Sequence, residues 1–397
     1  MLKRLLATAL AAAVVLAPPA SAQDEALKAR IAQYENLVRQ TGDVGVLWLL
    51  ADAYAQAGDK AKAVEALNRL ADMRLGFAPD SLAGVGKLAG DPAYDAVAAR
   101  MAAEQPRVRR ARVAHVLAVP GMVPEGLAYD EGTGRLFIGD GHGRRVHAIG
   151  RDGKTRVFAE LPEAPLGMTV DAKRSRLWVA VTNAFWRVGE RRSSLTAVDL
   201  KTGRVIAAYS HPELQSPNDM TVAPNGDVYV SDSLGGRVWR WRAGAEALEP
   251  LTPAGQLGYP NGVAVTDDGR HLFVAQGVSL RRIDLATGEV ARIGAPTGLT
   301  TLGVDGLYWR DGALIGVQNG PTLGRVLRLE LSPARDAVTG WKMLEAGNPA
   351  FDVPTTGAIA RDRMFVIANA QLSRLKEDGT LDRPELLKPI TILELPL

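Results

Sequence analysis

Two hydrophobic rhythms divide the chain. Between residues 24 and 105 apolar side chains return every three or four positions: Leu47, Leu50, Ala51, Tyr54 and Ala57, then, after Gly58-Asp59, Ala63, Leu67 and Leu70. That period belongs to helices, so residues 24–105 predict a helical segment. The spacing of Trp48, Tyr54, Gly58, Ala61 and Ala66-Leu67 looks like one tetratricopeptide helix pair, a repeat of about 34 residues that needs about three copies to bury its own core. One copy and a partial neighbour near residues 94–101 are present. Such a fragment must pack on something, either the next domain or another chain.

From residue 107 the rhythm changes to short runs rich in Val, Leu and aromatic residues, separated by Gly, Asp, Asn and Pro, which is the pattern of strands and turns. Aligned on itself, the chain repeats. Six units open at Pro124-Glu125-Gly126, Leu166-Gly167-Met168, Pro217-Asn218-Asp219, Pro260-Asn261-Gly262, Val304-Asp305-Gly306 and Pro354-Thr355-Thr356. Tight-turn dipeptides such as Asn225-Gly226, Asp268-Gly269 and Asp311-Gly312 follow, and supply the positive φ a hairpin needs. A second strand comes next, as in Leu136-Phe137-Ile138 or Leu272-Phe273-Val274. Measured from Glu125, Gly167, Asn218, Asn261, Asp305 and Thr356, the steps are 42, 51, 43, 44 and 51 residues. Four-stranded propeller blades repeat at about this period. The prediction is an all-β six-bladed β-propeller over residues 107–397, preceded by the small helical segment at 24–105. Residues 110–118 read as a lone outer strand that completes the last blade and closes the ring; the tail at 390–395 competes for that place.

The first strand of each propeller blade lines the central channel. The repeat therefore gathers Glu125, Gly167, Asn218, Asn261, Asp305 and Thr355/Thr356 at one mouth. Four of these positions carry an amide or a carboxylate. Oxygen ligands with two formal negative charges suit a hard divalent cation, Ca²⁺ above all, with Mg²⁺, Mn²⁺ and Zn²⁺ as other occupants of such a set. Without a cation, Glu125 and Asp305 repel when buried together, and one has to hold a proton. The expected metal ligands are Glu125, Asn218, Asn261 and Asp305. Trp309, just past Asp305, and Thr356 are expected to face the substrate, and the aromatics Trp178, Phe185 and Trp186 of the longer second blade either wall a pocket or pack between blades.

These motifs resemble the senescence marker protein/gluconolactonase/luciferin-regenerating enzyme family over about residues 110–380. The resemblance implies a six-bladed propeller with a divalent metal in its channel. It implies that Glu125, Asn261 and Asp305 hold the metal, and that Asn218 contacts substrate or completes the metal shell, as the equivalent amide does in the related diisopropyl fluorophosphatases and paraoxonases. Leu166 stands where paraoxonases place a catalytic His, so their His-dependent mechanism does not carry over. Gln276 stands where many lactonases have Asp, which bears on the substrate. Asp219 discriminates little, because Asn-Gly and Asn-Asp both occur at its place.

The implied function is a metal-dependent lactonase acting on a sugar lactone or a similar small cyclic ester, with Asp305 and Asn218 as catalytic residues. The rival reading is a non-catalytic binding propeller whose helical segment and one face hold a protein partner. A quinone-dependent oxidoreductase is the weaker third, since the channel ring lacks basic and His residues. Composition trims the field further. The chain of 397 residues has 47 Lys+Arg against 44 Asp+Glu, a balance unlike that of a nucleic-acid binder. It has no Cys, which excludes disulfides, Cys-ligated zinc and a thiol nucleophile. Its five His residues are scattered, and no Ser-hydrolase elbow or zinc-protease motif occurs. Lys3-Arg4, an apolar run over 5–17 and Ala20-Ser21-Ala22 read as a cleavable signal peptide (residues 1–22) ending before Gln23. No stretch is apolar enough to span a membrane. The expectation is an exported protein, periplasmic in a bacterium or secreted.

Overall fold

The computed structural model describes residues 20–79, 82–185 and 189–397. Most of the signal-peptide reading, and Trp186, lie outside them. Six four-stranded antiparallel sheets form the six blades of a propeller, as the repeat predicts. Blades one to five run in chain order over residues 124–160, 164–209, 217–250, 260–292 and 304–346. Blade six takes Gly357–Ala360 innermost, then Arg363–Ile367, then the tail Ile390–Pro396, with Arg112–Leu117 as the outermost strand. The lone strand and the tail therefore do not compete: each fills its own place, and Arg112 pairs with Glu394.

Between blades the sheets pack through large side chains on facing strands. Trp178 of blade two is fully buried against Trp241 of blade three, with ring centroids 4.7 Å apart, and Tyr209 joins them. These aromatics hold blades together and do not line a pocket. Phe185 packs against the same cluster.

The innermost strands share a second feature. In blades one to five the pairing with the next strand slips between the leading residues and the body of the strand: Glu125/Leu127, Pro165/Met168, Pro217/Met220, Pro260/Val263 and Val304/Leu307. Such bulges re-aim side chains. Here they fall on the repeat phase that carries Glu125, Asn218, Asn261 and Asp305. Glycines follow because the blades close in at the same level. A Cβ on Gly126 would lie 2.0 Å from the Leu166 carbonyl oxygen, and one on Gly262 would lie 2.5 Å from both the Asp305 carbonyl oxygen and the Leu307 nitrogen.

The helical segment comprises Ala20–Thr41, Val44–Gln56, Lys60–Asp72, Ala83–Gly86 and Pro92–Ala103. Asp side chains start three of these helices: Asp43 accepts from the Gly45 and Val46 amides, Asp59 from Lys62, and Asp91 from Ala93 and Tyr94, with Pro92 in the first turn. Val44–Gln56 and Lys60–Asp72 are the helix pair the spacing predicts. The tetratricopeptide likeness itself is not confirmed: the described helices form no repeated array. The segment packs on the propeller: its core takes in Leu302 of blade five and touches Val278 and Trp341. None of the described helices is long and apolar enough to cross a membrane.

Candidate metal centre in the channel

The side chains at the channel mouth are held by amides and hydroxyls. Asp305 accepts from Asn261 Nδ2 on Oδ1 at 2.6 Å and from Asn319 Nδ2 on Oδ2 at 2.7 Å. Asn319 also donates to the Pro354 carbonyl at 2.9 Å, so it ties Asp305 to blade six. Asn218 donates from Nδ2 to Ser233 Oγ at 2.9 Å, and Ser233 donates in turn to the Pro260 carbonyl at 2.7 Å. Asn218 and Asn261 thus each spend a side-chain N–H on a neighbouring oxygen. The Asn261 Oδ1 atom is buried and has no hydrogen-bond partner, and the same is true of Thr356 Oγ1. The Thr355 carbonyl accepts from the Gly306 amide at 3.1 Å and fixes the backbone beside Asp305.

Three carboxylates, Glu125, Asp219 and Asp305, lie within electrostatic reach of one another. Glu125 is raised well above the ordinary carboxylate range, first by burial and then by Asp305 and Asp219. Burial raises Asp219 to about 7 against the pull of the Met220 amide. It raises Asp305 to about 6 against the Asn319 and Asn261 amides. What offsets burial at these groups is neutral amides and hydroxyls, with no cationic side chain among them. Charged together, the three are stable only with a positive partner.

Asp219 is the residue that sequence reasoning undervalued. It occupies the phase where blades one, four and five have Gly126, Gly262 and Gly306. Its carboxylate accepts from the Met220 amide at 2.8 Å and is further steadied by the Val263 and Leu307 amides of the next two blades. The break in the glycine pattern was the available signal. Asn319 and Ser233 were missed as well, because they lie at the ends of second strands, where the repeat shows no shared residue. Tyr259 was also missed. It is partly buried near Asp305 and Glu125, and desolvation and those two charges hold its phenol protonated far above the usual range.

The backbone at this mouth is strained. Tyr259 has φ 56° and Val353 has φ 59°, and each directly precedes a leading Pro. Bulky and β-branched side chains adopt this region at a cost, and such strain collects at functional sites.

Trp309 requires a correction. It lies four residues along the strand from Asp305, about 13 Å at strand rise. There it stacks on Phe273, donates to Asp267 Oδ2 at 2.9 Å, and lines a cavity of about 510 Å³ at the opposite end of the channel. It does not face the candidate centre. Asn261 bonds Asp305 directly and Glu125 lies within electrostatic reach of it, Asn218 is tied to the same rim through Ser233 and the Pro260 carbonyl, and Thr356 has a buried hydroxyl at the start of blade six. Gln276 accepts from the Gly258 amide and donates to Ser279, a structural role at the rim.

The residues fit a hard divalent cation in one way only. Among the described residues no three His, Cys, Asp or Glu side chains are grouped closely enough to hold a metal ion by themselves, so a cation here would need amide oxygens to complete its shell. The unpartnered Asn261 oxygen beside Asp305 is an oxygen donor of that kind.

Comparison with known proteins supports the architecture. Residues 123–284 match the family model described as SMP-30/Gluconolactonase/LRE-like region. That stretch holds Glu125, Asn218 and Asn261 and ends before Asp305. No curated protein sequence matches. A gluconolactonase from Xanthomonas campestris superposes with a TM-score of 0.50 at 20% identity, covering 74% of this chain and 97% of its own. Virginiamycin B lyase from Staphylococcus aureus gives 0.50 at 18% identity, with 71% and 97% covered. A luciferin-regenerating enzyme gives 0.50 at 14% identity, with 70% and 93% covered. At these identities the likeness is one of fold.

Proposed function

We propose that this propeller, with its SMP-30/Gluconolactonase/LRE-like region, is a divalent-cation-dependent hydrolase of small cyclic esters, a lactonase. The observation that carries the reading is the buried, unpartnered Asn261 oxygen beside a cluster of raised carboxylates that lacks a cationic side chain. Glu125, Asn218, Asn261 and Asp305 would hold the cation, which when bound supplies Lewis-acid polarisation of an ester carbonyl.

The chain's own residues do the rest. Asp305 accepts one amide hydrogen on each carboxylate oxygen, so its plane is fixed and its remaining lone pairs face the channel. From there it is placed to take the proton of an attacking water. Asn218, locked by Ser233, presents its amide oxygen to the centre and orients the substrate. Thr356 has a free hydroxyl for a substrate oxygen. Tyr259 stays protonated and so offers an O–H donor at the mouth.

The test is elemental analysis of purified protein followed by a pH-indicator screen of lactones with and without chelator. The expected result is about one divalent cation per chain and hydrolysis abolished by chelation. Asp305→Asn should lose both binding and turnover. If that variant keeps both, Asp305 is not the base and the assignment fails. The N-terminal reading adds export to the proposal; a mature protein beginning at Gln23 would support it, and an intact Met1 would refute it.

A further inference from the structure

The helical segment meets the propeller at the loops that carry the candidate centre. In blade five, residues 294–303 lead into the strand holding Asp305, and residues 319–324 follow the strand that ends in Gln318. Both loops are clamped from the helical side. Phe77 forms an antiparallel bridge with Thr322, and the Ala78 amide donates to the Pro321 carbonyl at 2.8 Å. Phe77 in turn packs on Trp48, with centroids 5.4 Å apart. At Gly45, in the first turn of Val44–Gln56, a Cβ would lie 2.3 Å from Thr300 Oγ1 and 2.7 Å from Leu302 Cβ. The helix therefore sits directly on the first loop.

A buried cation joins these contacts. Arg325 is 1% exposed and has no carboxylate partner among the described residues. Its guanidinium donates to Gln318 Oε1 and, at 2.8 Å, to the Leu75 carbonyl of the helical segment. Gln318 in turn donates from Nε2 to the Thr300 and Leu302 carbonyls at 3.0 and 2.6 Å. The next residue, Asn319, donates its backbone N–H to Gly303 and its side chain to Asp305. An unbroken series of hydrogen bonds thus runs from Leu75 through Arg325 and Gln318 to the two loops that position Asp305. A guanidinium taken out of water needs its acceptors, and the helical segment supplies one of them.

We propose that the helical segment is a positioning element of the channel centre: docked through Leu75, Phe77 and Gly45, it sets the loops at 300–303 and 319–324 and through Asn319 the carboxylate of Asp305. No ligand comes from the helices, and their effect reaches the centre through Arg325 and Gln318. The cation-affinity consequence rests on the lactonase reading; the loop-ordering consequence does not.

The test uses the full chain with Arg325→Met, Phe77→Ala, and Phe158→Ala in the outer strand of blade one as a packing control. Hydrogen exchange is followed at the Gly306 and Asn319 amides, and Ca²⁺ affinity by calorimetry. Arg325→Met and Phe77→Ala are expected to speed exchange at both amides by about tenfold or more and to weaken Ca²⁺ about tenfold. Arg325→Lys, which keeps a donor, should recover part of both, and Phe158→Ala should move neither. Should Arg325→Met misfold, Phe77→Ala alone decides. Unchanged exchange at 306 and 319 in a folded variant, or an equal change in the control, overturns the proposal. If the unaltered protein binds no divalent cation, the lactonase reading falls while the exchange result still decides this one.

Discussion

At the scale of single residues, the centre is a set of amides that each spend a side-chain N–H on a neighbouring oxygen. Asn261 is the clearest case, and Asn261→Ala is expected to cost about ten- to a hundredfold in Ca²⁺ affinity by calorimetry. Tyr259→Phe removes only a donor. It should lower kcat/KM about tenfold, the worth of one hydrogen bond, without changing Ca²⁺ affinity. Val353 tests the strain. Asn tolerates its left-handed backbone, so Val353→Asn is expected to raise stability by about 1 kcal/mol in urea unfolding; a loss of stability would mean that the Val side chain packs better than its backbone suffers. The ligand positions were legible in the sequence because the repeat put Glu125, Asn218, Asn261 and Asp305 in phase. Tyr259 and Asn319 were not, since they act through loop conformation and through a neighbouring blade. Trp309 misled because adjacency in sequence to Asp305 becomes separation along a strand.

At the scale of elements, the bulge on the innermost strands of blades one to five links the fold to the chemistry. It turns the polar residue inward and leaves the following position pressed against the next blade. Gly262 has an ordinary φ, so its need for glycine is one of space. Gly262→Ala is expected to cost 2 kcal/mol or more, about the size of other overpacking changes, measured by urea unfolding. Gly312, at φ 77° with open space around it, should lose about 1 kcal/mol on change to Ala, through backbone conformation alone. The six strand-turn units could be counted from sequence because hairpin dipeptides and β-branched runs are local signals. The bulges could not, since a slip in register depends on what the adjacent strand offers. The helices were legible from their period and their Asp caps, whereas the surface they dock on was not, because docking depends on shape.

At the scale of the whole molecule, the propeller concentrates three acids where water is scarce, and this gives the cation-free protein an inverted pH response. Asp219 and Asp305 have folded values of about 7 and about 6, raised from about 4 in an unfolded chain. Between those values the folded state binds more protons than the unfolded one, so stability is highest below about pH 4 for these groups and falls as pH rises towards 7. Thermal melts of chelated protein should show this decline, and added Ca²⁺ should remove it. The composition of blade six has a kinetic consequence of its own. Arg112 meets Glu394 across 282 residues of chain, and contacts so distant in sequence form late. The helices need only near neighbours and can form as the chain emerges, but no ring exists until the last strand arrives. A nascent chain, or one clipped before Ile390, therefore exposes two unpaired sheet edges, one on each side of the gap, and integrity of the strand Ile390–Pro396 decides whether this protein matures or aggregates.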